Sequence, residues 1–133
     1  MVMTANSFQL LYISRLVPAG DFRVVKKIVE VARRVNPARG ISGALLFDGE
    51  RFCQLLEGSE ISVRGLMGRI EIDPRHASVR VLHAGASGDG FMTQRWASGY
   101  CDSHDLDGLD TAAATVLSPI HQFSAVLNRA DIV

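Results

Sequence analysis

Cysteine, proline and long apolar runs are scarce in this chain, and neither charge is in excess; each scarcity narrows what the protein does. Cys53 and Cys101 are its only cysteines, and their spacing matches no metal site or redox motif, so two reduced thiols are expected. Lysine plus arginine number 14 against 14 for aspartate plus glutamate. With charges balanced, no broad positive field exists to gather nucleic acid or an anionic membrane. Runs such as Gly43-Ala44-Leu45-Leu46-Phe47 fall far short of the roughly 20 apolar residues a membrane helix needs. Met1 to Asn6 carries neither the basic patch nor the apolar stretch of a secretory signal, and a cytoplasmic location is expected. No serine sits in a nucleophile elbow, no Walker loop or dinucleotide fingerprint occurs, and His76 has no second ligand at metal spacing. The chain is therefore not expected to be an enzyme, and its function must be argued from a site.

What is present suffices for one core: 133 residues, 47% of them hydrophobic. Phe8 to Ser14 reads as a strand that stops before Pro18-Ala19-Gly20. After Asp21, a good N-cap, Val25, Ile28, Val29, Ala32 and Val35 recur at helical spacing, and Asn36-Pro37 is expected to end the helix. Ile41 to Phe47 and Phe52 to Leu56 read as a hairpin about Asp48-Gly49. Val63, Leu66, Met67 and Ile70 mark a second helix up to Asp73-Pro74. Val79 to His83 reads as a further strand, with a weaker one from Trp96 to Cys101. This order predicts an α+β sandwich with both helices on one face of a mixed sheet and an added strand. Residues 1–104 form the expected domain. Residues 105–133 form a helical extension that either caps the sheet or serves assembly.

A two-residue Asp48-Gly49 turn would set Gly43 opposite Gln54, Leu45 opposite Phe52 and Phe47 opposite Glu50. Alternation along the strand then gives Gln54 the same face as Phe52 and Leu56, away from Cys53 and Leu55. A buried amide without partners costs about 1–3 kcal/mol, so something must satisfy both its ends. A loop carbonyl, ordered water or a ligand would each serve. Tyr12 and Ser14 share a face of the first strand. Arg69, Asp73, Arg75 and His76 cluster at the end of the second helix, where a solvated ion-pair group is the simplest account.

Taken jointly, four segments carry a resemblance: Leu11-Tyr12-Ile13-Ser14; Asn36-Pro37-Ala38-Arg39-Gly40-Ile41-Ser42-Gly43; Phe52-Cys53-Gln54-Leu55-Leu56-Glu57-Gly58; and Asp73-Pro74-Arg75-His76. In order and spacing the chain resembles BLUF domains, sensors of blue light using FAD, from about Phe8 to Tyr100. The resemblance implies a ferredoxin-like βαββαβ domain with an added strand and short C-terminal helices, holding FAD between its two main helices. It implies Tyr12 as the photoactive tyrosine, Gln54 as the switching glutamine and Asn36 as a ring-binding amide. Ile28, Arg69, Asp73, Arg75 and His76 are implied as pocket residues.

At the output segment the chain departs from the family. In the alignment with least insertion Trp96 matches the family's tryptophan, while Thr93 stands for a phenylalanine and Ser98 for a methionine; a second alignment, with a longer insertion in Gly85 to Gly90, pairs Trp96 with the phenylalanine and Cys101 with the methionine. With too few residues after Asp105 for a catalytic domain, output is expected to pass through a downstream protein, and the C-terminal helices are candidates for homo-oligomer or partner contacts; the balanced charge argues against direct nucleic-acid or membrane binding. Two other readings compete: a flavin-free, light-insensitive assembly module, and a small enzyme using Arg75 and Asn36 on an acyl phosphate.

Overall fold

The computed structural model describes residues 7–87, 96–111 and 118–133. Their elements run β1 (Phe8–Leu16), α1 (Phe22–Ala38), β2 (Ser42–Phe47), β3 (Arg51–Gly58), α2 (Glu60–Ile72), β4 (His76–Ala86), β5 (Trp96–Tyr100), α3 (Ser103–Asp110), α4 (Pro119–Arg129) and β6 (Asp131–Ile132). The strands make one mixed sheet ordered β4-β1-β3-β2-β5-β6, antiparallel throughout except where β2 runs parallel to β5. The βαββαβ arrangement and the added strand are as expected. The short β6 is an addition that no sequence pattern announces.

Both faces of the sheet are covered, which is why β1 and β3 are buried almost end to end rather than alternating. On the front, Leu10, Tyr12 and Leu56 pack with Val63 and Met67 of α2, while Leu45, Phe47 and Phe52 pack with Val25 and Val29 of α1. On the back, Leu11, Ile13, Leu46, Cys53 and Leu55 meet Leu106 and Leu109 of α3 and Phe123 and Val126 of α4 in one cluster. The helices after residue 105 thus share a core with the sheet.

Two expectations are corrected by local chemistry. The β2–β3 turn is centred on Gly49-Glu50, not Asp48-Gly49: the Asp48 N–H donates to the Arg51 carbonyl at 3.1 Å, and Gly49 takes φ +103°. Asp48 Oδ1 accepts from the backbone N–H of Glu50 (2.9 Å) and of Arg51 (2.7 Å), which fixes Asp48 just before the turn. The register therefore slides by two, setting Gly43 opposite Leu56, Leu45 opposite Gln54 and Phe47 opposite Phe52. A slip of two preserves every face, so Gln54 still shares the front with Phe52 and Leu56. Gly43 thus lies opposite Leu56, where the absence of a side chain lets the β3 backbone come close.

The second correction concerns α1, which runs through Pro37 to Ala38. Gly40, at φ +74°, ends it. The Gly40 N–H bonds the Pro37 carbonyl (3.0 Å) and the Ile41 N–H the Asn36 carbonyl (2.9 Å), the pair of bonds that defines a Schellman motif. Near a helix end the proline is tolerated, because the left-handed glycine supplies the stop.

Arg51 ties the hairpin to the back-face helices. Its guanidinium donates to Asp48 Oδ2 and Asp107 Oδ1, both at 2.8 Å, and to the Ser103 carbonyl at 3.0 Å, while its side chain is 8% exposed. Asp48 is itself only 1% exposed, so losing the cation leaves a buried carboxylate short of partners. Arg51→Met is expected to cost about 3 kcal/mol. The exposed Arg64–Glu60 pair should be worth only a few tenths, about 0.3–0.5 kcal/mol. Urea unfolding of Arg51→Met and Arg64→Met checks both; equal midpoint shifts would contradict the contrast.

Candidate functional site

Three local features aim side chains into one cleft between α1 and α2. The Schellman motif holds the Asn36 backbone through its carbonyl, which accepts from the N–H groups of Arg39 (3.0 Å) and Ile41 (2.9 Å). Antiparallel pairing sets Tyr12 of β1 directly opposite Gln54 of β3. A β-bulge then turns the start of β4. Ile13 pairs with Arg80 and Arg15 with Ala77, so Ser78 and Val79 together face the single Ser14, and Ser78 takes φ +54°. With that extra residue His76 pairs with Leu16, whose face is that of Tyr12 and Ser14; without it His76 would point backward.

The cleft has a cavity volume of ≈ 350 Å³. Tyr12, Ile28, Asn36, Gln54, Arg69, Asp73, Arg75 and His76 all line it, together with Val31, Ala32 and Val35 of α1, Arg39 just past its end, and Leu66 and Ile70 of α2. Sequence reading did not assign these last six to the site. The signal was available, since Ile28, Val31, Ala32, Val35 and Arg39 follow the spacing of one helical face. Trp96 and Ser98 do not line the cleft. They lie on the same sheet face, with Leu45 between Gln54 and Ser98 in cross-strand register, and the indole Nε1–H donates to Ser98 Oγ at 3.2 Å. Thr93 lies outside the described residues.

On the cleft floor Gln54 Nε2 donates to the Tyr12 hydroxyl at 2.5 Å, with Tyr12 fully buried and Gln54 5% exposed. Desolvation pushes the Tyr12 phenol well above its ordinary pKa, with Cys53 adding to the rise and the Gln54 bond opposing it, so the hydroxyl keeps its proton. Arg75 grips Asp73 through Nε and Nη2, at 3.0 and 2.6 Å, and that pairing holds the Asp73 carboxyl below the usual range. Asn36 is 4% exposed, yet its carboxamide has no hydrogen-bond partner among the described residues. Its polar atoms open on the cavity, where a ligand that donates and accepts would meet both ends. Apolar walls from both helices and polar groups at the floor and rim fit a flat heteroaromatic ring, and a flavin ring has that character.

Desolvation also lowers the His76 pKa, with Asp73 opposing and Arg75 reinforcing the shift. The neutral imidazole is thus favoured in the folded state, whereas the unfolded residue titrates near its ordinary value of about 6.5. This group's contribution is complete above that value and is lost as pH falls through the lower, folded value. The thermal midpoint should therefore decline as pH falls below about 7, and His76→Gln should flatten that limb. A parallel profile in the variant would show that another group is responsible. The depressed Asp73 acts in a separate window, its contribution being lost only below about pH 4.

A buried phenol–carboxamide pair under an apolar slot, on a ferredoxin-like sheet extended by β5 and the short β6, defines a small α+β domain with a ligand-sized cleft between its front helices. The family model described as sensors of blue-light using FAD, BLUF, matches residues 8–93, and the chain belongs to that family. It carries a BLUF blue-light sensor domain, and BLUF domains bind a flavin. The blue light- and temperature-regulated antirepressor BluF of Escherichia coli is 36% identical over 70 residues, which are 53% of this chain and 17% of that protein. The photoactivated adenylate cyclase subunit beta of Euglena gracilis is 32% identical over 87 residues, 65% of this chain and 10% of that protein. This chain thus spans a small part of either relative. The dark-state structure of the BLUF protein BlrB shares the fold, with a TM-score of 0.70 at 23% identity over 92% of this chain and 98% of that one. Among the described residues, no helix is long and apolar enough to cross a membrane.

Proposed function

We propose that this protein senses blue light with FAD held in the α1–α2 cleft, switches through Tyr12 and Gln54, and passes the signal to a downstream protein without catalysis of its own. The observation that carries the reading is the 2.5 Å bond from Gln54 Nε2 to the Tyr12 hydroxyl, buried at the cleft floor beneath the unpartnered Asn36 amide. Asn36, Arg69 and His76 offer polar contacts to the cofactor, and Ile28 packs against it, while Asp73 and Arg75 stiffen the rim. A bound flavin supplies visible absorption and an excited state that accepts an electron.

The chain's own part is to furnish a donor and a two-way relay. Tyr12 is the one phenol in the cleft lining, buried and protonated, with its hydroxyl already bonded to an amide. A carboxamide has a donating and an accepting end, so Gln54 can meet Tyr12 with either one. In the structure the NH₂ end faces Tyr12; turned over, the carbonyl end would accept from the phenol and the NH₂ end would face the cleft. These are two states of similar shape and different hydrogen bonding, as a population switch requires. Trp96 and Ser98, two strands from Gln54 across Leu45, are the residues we assign to carry the difference outward.

Signalling through a partner and self-association belong to the same reading, as does a cytoplasmic setting, which two unpaired cysteines favour. Tyr12→Phe tests the switch: the variant should hold FAD nearly as well as the parent, yet show no red shift after blue light. A full shift in that variant would overturn the assignment.

A further inference from the structure

His76 enters the cleft with one ring nitrogen already engaged. Ser14 Oγ lies 2.8 Å from His76 Nδ1, and Ser14 is 1% exposed. The ring is further held by an edge contact with Tyr12, centroids 6.2 Å apart, and a tilted contact with Phe52 at 5.0 Å. Nε2 is the nitrogen left for a cleft ligand.

The direction of the Ser14–His76 bond follows from hydrogen-bond accounting. If Nδ1 carried the proton and donated, the Ser14 hydroxyl hydrogen would need another acceptor, and Oγ has no second partner among the described residues. A buried hydroxyl without an acceptor is disfavoured. The satisfied arrangement has Ser14 donating to Nδ1. We infer that Ser14 acts as a positioning residue that fixes the tautomer of His76, keeping its proton on Nε2 and making the imidazole a hydrogen-bond donor toward a ring acceptor of the cleft ligand. The β4 bulge at Ser78 is what sets the two side chains on one face, so backbone and side chain serve one purpose.

The same bond opposes protonation of His76, because an imidazolium would place a proton on Nδ1 against the hydroxyl. Facing groups act alongside it: Asp73 favours the charged ring, whereas Arg75 and desolvation disfavour it, and Tyr12 stays neutral. This inference deepens the flavin reading in naming what His76 offers the ring, and it rests on that reading only for the ligand's identity.

The test is isotope-labelled imidazole NMR of the full chain, without and with FAD, with His76→Gln used to assign the signal. The parent should show the Nε2–H form above neutral pH. Ser14→Ala should admix the Nδ1–H form, raise the His76 pKa toward its ordinary value and weaken FAD binding by about tenfold. Ser14→Thr, which keeps the hydroxyl, should restore all three. A parent imidazole protonated on Nδ1, or a spectrum that Ser14→Ala leaves unmoved, would overturn the inference. If the tautomer behaves as stated but no flavin binds, the inference stands and the proposed function fails.

Discussion

Replacing Gln54 by leucine should leave flavin in the cleft and reduce the light-induced red shift to background. Leucine keeps much of the volume on a face already shared with Phe52 and Leu56, while removing both ends of the amide. The Tyr12 hydroxyl then loses its donor in a fully buried place, at a cost of about 1–3 kcal/mol. That is a fraction of an ordinary domain's stability of about 5–15 kcal/mol, so the protein should still fold and bind. The switch, by contrast, should be lost entirely, because an alkyl side chain has no second hydrogen-bonding state. Bound flavin is read from the visible spectrum in the dark and the switch from its change after blue light. An undiminished shift would remove Gln54 from the mechanism.

The largest effect on stability is expected from Gly43→Ala. Gly43 takes φ +142°, and a Cβ there would sit 1.9 Å from the Leu55 carbonyl oxygen and 2.8 Å from its carbon. Both are backbone atoms of the central β3, so no side chain can swing away to relieve the contact. Backbone strain and overpacking each cost about 1–3 kcal/mol, and together they predict a loss of roughly 3–5 kcal/mol. Gly65 is the contrast. It lies exposed on α2, where a Cβ meets nothing within 4 Å, so Gly65→Ala should stabilise by about 0.5–1 kcal/mol. Urea denaturation of the two variants should move the midpoint in opposite directions. A Gly43→Ala protein as stable as the parent would show that β2 and β3 approach less closely.

Much of the site was legible because its information is periodic. Alternation along β3 set Gln54 on the face opposite Cys53, and that survived a two-residue slip in hairpin register. Helical spacing gave both front helices, and with them the two walls of the cleft. What escaped depended on single hydrogen bonds. The Asp48 carboxylate accepts from the N–H groups of Glu50 and Arg51, which moves the turn by one residue. Gly40, not Pro37, terminates α1, because a left-handed residue is a more effective stop than a proline within the last helical turn.

The bulge at Ser78 was the least visible feature, since serine is not the residue expected at positive φ. Yet it decides whether His76 faces the cleft at all. The sequence also left open whether the segment after residue 105 caps the sheet or meets another molecule. Leu106, Leu109, Phe123 and Val126 lie in the back-face core, so these side chains cap the sheet and are not open to a partner.

As proposed, the cleft holds a flavin whose surroundings Tyr12 and Gln54 rearrange in light. The most direct test is the visible absorption spectrum of the purified protein, reconstituted with FAD, in the dark, immediately after blue light and during dark recovery. The account predicts a bound-flavin spectrum that moves to the red on illumination and returns in the dark. A colourless protein that takes up no flavin, or a bound flavin whose spectrum light does not shift, would contradict it.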